Sequence, residues 1–203
     1  MSMSSNQSPK PTFFLASGSP RRKELLTQLG YQFDIVVPNI EEQQQVDECP
    51  SHYVERLSRE KAQAGVELAL KIYGQQTLPV LGSDTIVVVD NHVLEKPINY
   101  LDCKRMLQSL SNRKHQVMTS VTVATSTEYQ TKTVITDVWF KPLTEQEIEA
   151  YWQTGEPCDK AGSYGIQGIG GRFVSRIEGS FHAVMGLPLM ETDLLLNAFL
   201  SNQ

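Results

Sequence analysis

Apolar and polar positions along this chain switch between helical and strand-like spacing, and the switches mark its elements. Phe13 to Ser17 is a short apolar run that breaks at Gly18-Ser19-Pro20. A helix is predicted next, with Leu25, Leu26 and Leu29 on one face and Gly30 as its stop. Tyr31 to Val37 reads as a second strand, closed by Pro38. From Ser51 to Tyr73 the spacing of Tyr53, Leu57, Ala64, Leu68 and Ile72 predicts a long amphipathic helix. Leu78 to Asp90 is an almost continuous β-branched run, the pattern of a strand buried on both faces. Asp90-Asn91 then turns the chain into Val93-Leu94. Asn99 to Leu110 reads as a helix, and Thr119 to Thr125 and Thr131 to Phe140 as long paired strands. Thr144 caps a helix that reaches Trp152, with an acidic first turn that suits the helix dipole. A glycine-rich stretch (161–171), a strand from Arg172 to Ile177 and a closing helix from Pro188 to Leu200 complete the pattern. Interleaved strands and helices with a strand-rich centre predict an α/β fold, a mixed sheet with helices layered on its faces.

Composition narrows the classes this fold can serve. The 203 residues carry 18 Lys and Arg against 23 Asp and Glu, a formal net charge of −5. With 40% hydrophobic residues the chain can fill a globular core. No repeat or composition break divides residues 13–200, so they read as one domain behind a polar, disordered leader, residues 1–12. That leader lacks an apolar centre and is not a signal peptide, and no apolar run approaches the ~18 residues of a membrane span. A net acidic chain without a basic stripe is a poor nucleic-acid binder. Cys49, Cys103 and Cys158 are scattered, and no histidine spacing suggests zinc. The pattern favours a reducing, cytoplasmic setting.

Several residues are costly for structure alone. Ser19 and Pro20 make a conventional helix start, yet Arg21, Arg22 and Lys23 crowd a first turn that already carries partial positive charge. A phosphate bound there would reverse that cost; a solvated basic turn offset by Glu24 is the plainer reading. Asp84 interrupts the most apolar strand, where a carboxylate needs a cation, a metal or an open edge. Otherwise Gly82-Ser83 bulges the strand and Asp84 faces water. Lys61 falls on its helix's stripe between Leu57 and Ala64, and either snorkels to the edge or points inward. With Glu41 and Lys96 these residues form a set of cations for phosphates and carboxylates for a divalent metal. The glycine-rich stretch matches neither a dinucleotide fingerprint nor a Walker A loop, and by itself reads as a plain flexible loop. Its other reading is close approach to a planar base, with Gln167 offering donor and acceptor.

Three ordered motifs, LASGSPRRKELL, GSDTIV and DKAGSYGIQG, strongly resemble the Maf family of nucleoside triphosphate pyrophosphatases over nearly all of 13–200. The resemblance implies an elongated, two-lobed α/β architecture related to inosine triphosphatase, a strongly twisted sheet and a central cleft. It also implies hydrolysis of the α–β phosphoanhydride with Mg²⁺ or Mn²⁺, giving nucleoside monophosphate and pyrophosphate. By the same resemblance Asp84 is the proposed proton acceptor, and Glu41, Lys61 and Lys96 match further active-site positions. Glu41 and Asp84 would serve the metal and Lys61 and Lys96 would be catalytic cations, with Asp84's role as base or metal ligand left open. Ser17 and Arg22 belong to the phosphate turn, and Arg21, Thr85 and Gln167 look like the branch that takes dTTP and UTP. House-cleaning of modified pyrimidine nucleotides and a homodimer stay open. The alternative is a non-catalytic nucleotide-binding regulator of cell division, which would not need the complete carboxylate set.

Overall fold

The computed structural model describes residues 10–74 and 78–201. In chain order its elements are β1 (Phe13–Leu15), α1 (Pro20–Gln28), β2 (Phe33–Ile35), α2 (Pro50–Tyr73), β3 (Val80–Val89), β4 (His92–Leu94) and α3 (Tyr100–Leu110). They continue as β5 (Lys114–Ala124), β6 (Tyr129–Phe140), α4 (Glu145–Trp152), β7 (Val174–Glu178), α5 (Phe181–Met185) and α6 (Leu189–Leu200). Seven strands form one mixed sheet in the order β2-β1-β3-β5-β6-β7, with β4 also paired to β3. The expected α/β class is therefore present, with helices on both faces. Of the expected leader, residues 1–9 lie outside the described residues, while Thr12 already donates its backbone N–H to the Gln32 carbonyl at 2.9 Å.

Strand β3 organises the sheet. One edge pairs antiparallel with β5 from Val80 to Val88. The other edge changes partner: β1 runs parallel beside Val80 and Leu81, and β4 runs antiparallel beside Val87 to Val89. The chain leaves β1 just before this gap and leaves β4 just after it. Residues 82–86, including Asp84, thus meet a cleft on that edge, as happens where the strand order of an α/β sheet switches.

Alternation along β3 sends successive residues to opposite layers. Val80, Ile86 and Val88 pack with α2, beside Val66 and Ala69 at one end and Tyr53 and Leu57 at the other. Leu81 packs with Leu25 and Leu26 of α1 and Leu195, Leu196 and Phe199 of α6. Val87 and Val89 pack with Met106, Leu107 and Leu110 of α3 and Tyr151 of α4. The expectation that this strand is buried on both faces is met.

The buried stripe of α2 differs from the expected one. It runs through Tyr53, Val54, Leu57, Ser58, Ala62, Gly65, Val66 and Ala69, while Ile72 is 58% exposed. Counting large apolar residues missed the small face, where Ser58, Ala62 and Gly65 let the helix backbone press onto the sheet. Strand β5 begins five residues before its expected start, β2 is shorter than expected, and α5 had no apolar period long enough to announce it. The glycine-rich segment is not a plain flexible loop. It contains short 3-10 turns at Ala161–Ser163 and Ile169–Phe173, preceded by another at Glu156–Asp159. The last of these takes Arg172 out of β7.

Candidate active site

A cleft of about 690 Å³ opens at the partner switch of β3, a size suited to a small organic ligand. One part of its lining is the turn after β1 with the first residues of α1, Ser17 to Arg22, and another is drawn from the segment between Glu156 and Gly168. Its floor includes Asp84 and Thr85, and Glu42, Lys61, Glu95 and Lys96 line another side.

The turn is built around Arg22. Its Nε donates to the Gly186 carbonyl at 2.9 Å, and its two terminal nitrogens donate to Ser17 Oγ at 3.2 Å and Thr85 Oγ1 at 3.3 Å. Ser17 Oγ also accepts the Ser19 backbone N–H at 3.1 Å, which holds the turn closed. Burial is the largest influence on this guanidinium and opposes its charge, and Arg21 does the same; Asp84 and Glu42 offset them in part. A partly buried cation so placed favours an anion in the cleft. Thr85 Oγ1 lies 3.0 Å from Thr119 Oγ1, so its hydroxyl is already shared with the turn and with β5.

Asp84 is 6% exposed and sits in an unbroken register with β5. The strand does not bulge at Gly82-Ser83; Asp84 points to the α2 layer. There the Lys61 ammonium lies 2.6 Å from Asp84 Oδ1 and 2.7 Å from Glu42 Oε1, with its side chain only 12% exposed. The reason is Gly82, two residues earlier on the same face. A Cβ there would collide with the Ser58 carbonyl and stand 2.5 Å from the Ala62 nitrogen. Glycine lets α2 close on β3, and this close approach brings Lys61 to Asp84.

The structure does not bring Glu41 into the cleft; Glu42 takes the place expected of it. Burial alternates here, with Val36, Pro38 and Ile40 less exposed than Val37, Asn39 and Glu41. Glu42 falls on the same side as Ile40 and, although exposed, meets Lys61 in the cleft, while Glu41 does not line it. Lys96 stands at the rim, 62% exposed and 3.8 Å from Glu42 Oε2. Glu95, unmarked by the sequence, accepts the Tyr53 hydroxyl at 3.0 Å.

Two neighbouring acids are pushed in opposite directions. For Glu42, burial raises the pKa, but Lys61, Lys96 and Arg22 outweigh it and hold the carboxyl below its ordinary range. For Glu95, burial raises the pKa, the Tyr53 hydroxyl works against it, and Asp84 and Glu42 add to the rise. Acids separated in this way are frequent at catalytic sites.

Among the described residues no three His, Cys, Asp or Glu side chains converge tightly enough to form a metal cage. The donor set still fits a hard divalent cation. Glu42 and Asp84 supply carboxylate oxygens beside a cationic turn, and Mg²⁺ commonly uses one or two carboxylates, with phosphates and water completing its shell. Gln167 belongs to the part of the lining drawn from the segment between Glu156 and Gly168, and it is exposed. The cleft thus gathers Ser17, Arg21, Arg22, Lys61, Asp84, Thr85, Lys96 and Gln167 from the sequence-based set. Of the adjacent acids after β2 the sequence reading chose Glu41 rather than Glu42; it took Tyr53 only as part of the apolar stripe and missed Glu95 and Glu156. Alternation beyond β2 could have selected Glu42; Glu95 and Glu156 carry no periodic signal.

Comparison with known proteins places this geometry in context. The family described as Maf-like protein matches residues 12–199. A dTTP/UTP pyrophosphatase of Aliivibrio fischeri is 70% identical over 187 residues, covering 92% of this chain and 97% of that protein. One from Vibrio cholerae is 63% identical over 185 residues, covering 91% and 96%. One from Salmonella typhimurium is 55% identical over 188 residues, covering 93% of each.

Proposed function

This chain belongs to the Maf-like protein family, and from that premise we propose that it hydrolyses dTTP and UTP to the nucleoside monophosphate and pyrophosphate. The observation that carries the reading is the cleft itself: a buried carboxylate held by Lys61 faces a cationic turn locked by Arg22. Arg21 and Arg22 receive the triphosphate, helped by the exposed N–H groups at the start of α1. Lys61, fixed between Asp84 and Glu42, orients Asp84 and sets the field at the phosphates. Lys61 donates to Oδ1 of Asp84, and Oδ2 takes the proton of the attacking water. Water oxygen bonds to the α-phosphorus, the bond from that phosphorus to the bridging oxygen breaks, and pyrophosphate leaves. Lys96 at the rim offsets charge on the departing group.

Glu42, together with the phosphates of the substrate, would hold a divalent cation such as Mg²⁺ or Mn²⁺, which when bound would polarise the α-phosphate and neutralise pyrophosphate. Gln167 presents an amide donor and acceptor to the carbonyl–NH–carbonyl edge that uracil and thymine share. A wrong base leaves such groups unpaired at ~1–3 kcal/mol each, roughly 5–150-fold in selectivity. The reading makes the partner a free nucleotide, with neither nucleic acid nor membrane required, in a reducing cytoplasm that suits the free Cys49, Cys103 and Cys158. Among the described residues no helix is long and apolar enough to cross a membrane.

Pyrophosphate release from dTTP, UTP, dCTP, ATP, GTP and 7-methyl-GTP, with and without Mg²⁺ or Mn²⁺, tests the reading. The two pyrimidine substrates should show the highest kcat/KM, and only with metal. A purine triphosphate in first place refutes the substrate assignment.

A further inference from the structure

The backbone that carries Gln167 belongs to no strand or long helix, yet it is held in place by one side chain. Glu156 Oε2 accepts the Ile169 N–H at 2.8 Å, and Oε1 accepts the Gly170 N–H at 3.0 Å and the Tyr151 hydroxyl at 2.8 Å. Tyr151 Oη in turn accepts the Gly165 N–H at 3.2 Å. Backbone groups on both sides of Gln167 therefore converge on one carboxylate–hydroxyl pair. The fit is close, since a Cβ on Gly168 would collide with the Glu156 carboxylate. Burial opposes ionisation of Glu156, but the amides of Gly170 and Ile169 and the Tyr151 hydroxyl outweigh it. The group stays an acceptor for all three donors.

We infer that Glu156, with Tyr151, is a positioning residue for base selection: it clamps residues 165–170 so that Gln167 meets the base edge in one register. The inference rests on reading the cleft as a dTTP and UTP site. Its physical basis is a separation of labour within the cleft. Ser17 lies in the turn after β1, and Arg22, Lys61 and Asp84 are carried by α1, α2 and β3. Among the described residues the Glu156 and Tyr151 side chains make no hydrogen bond to any of these four. Loosening the clamp therefore weakens the hold on the base while leaving the phosphate chemistry in place. Tyr151 is fully buried and is not part of the cleft lining, so its hydroxyl can reach selectivity only through the clamp.

Glu156→Gln and Tyr151→Phe in the full chain test this. Glutamine keeps one oxygen but turns an NH₂ group toward a backbone N–H, and phenylalanine removes one hydroxyl. KM for dTTP should rise about tenfold with kcat within about threefold, and the kcat/KM ratio of dTTP over ATP should fall about tenfold. Amide exchange at Ile169 and Gly170 should accelerate in both variants. Equal losses for dTTP and ATP, or amides as protected as in the wild type, overturn the inference. If Glu156→Gln does not fold, Tyr151→Phe decides alone: a folded variant with an unchanged dTTP:ATP ratio overturns it. A wild-type enzyme without pyrimidine preference refutes the substrate reading instead, and amide exchange then still decides whether the clamp exists.

Discussion

At the scale of single residues, the cost of placing Asp84 inside an apolar strand is offset by Lys61, 2.6 Å away, which Glu42 holds from its other side at 2.7 Å. Such a pair is weak evidence of stability, because desolvating both charges consumes most of what their attraction returns. Its value lies in holding the Asp84 carboxylate in place at the cleft. Asp84→Asn should therefore lower turnover by ~10²–10⁴-fold, the range for losing a general base. Asparagine keeps an acceptor for Lys61, and Lys61 keeps Glu42, so the variant should remain folded with a similar urea midpoint. Pyrophosphate release near the wild-type rate would remove Asp84 from the proton-acceptor role. Asp84 and Lys61 were legible in the sequence because each violates the pattern of its own element. Glu156 was not, since an acid ahead of a glycine-rich stretch violates nothing.

At the scale of elements, the contact between α2 and β3 is decided by small residues. Gly82 admits the α2 backbone, and Gly65 does the same one helical stretch later, where a Cβ would stand 2.7 Å from Val80 Cγ1. Gly82→Ala forces backbone rather than a flexible side chain to move, an overpacking that costs ~1–3 kcal/mol. The same shift carries Lys61 away from Asp84. The variant should lose stability in urea and at least tenfold in kcat, beyond what a destabilised but intact site would lose. Full activity in a destabilised Gly82→Ala protein would separate the packing from the chemistry. Local signals served other elements well. Thr144 accepts the Glu147 N–H while Glu147 reaches back, a complete capping box. Asn99 caps α3 through the Asp102 N–H, and Asp90 and Asn91 take positive φ in the tight turn into β4.

At the scale of the whole molecule, the stability curve against pH should carry the mark of His115. This residue is 2% exposed, packed edge-on against Phe140 and Tyr164, with Nε2 at 2.8 Å from the Tyr164 hydroxyl. Its Nδ1 is buried and has no hydrogen-bond partner among the described residues. Burial, and then Arg113, push its pKa from 6.5 down to about 3, with Asp137 resisting slightly. The folded state therefore refuses a proton that the unfolded chain accepts. His115 contributes fully above about pH 6.5, and its contribution is lost as pH falls toward 3. The loss is ~1.4 kcal/mol per pH unit, or about 2 kcal/mol at pH 5. Urea midpoints of the wild type and His115→Gln, measured from pH 8 to 4.5, should run parallel above pH 6.5. Below it the wild type should fall more steeply. Parallel curves throughout would mean that His115 is protonated without penalty.

The sequence by itself determined the order of strands and helices other than α5, the two-sided burial of β3, the helix start at Ser19-Pro20 and the family resemblance. Those features reside in local period, caps and contiguous motifs, which a linear chain displays directly. Tertiary structure alone decided that β3 changes partner between Leu81 and Val87, which opens the cleft at Asp84. It also decided that α2 buries its small face, that Lys61 stands between two acids, and that Glu156 holds the segment carrying Gln167. These contacts join residues distant in the chain through close backbone approach and hydrogen bonding. Neither leaves a hydrophobic period to read, because glycine, serine and a lone carboxylate carry no periodic apolar signal.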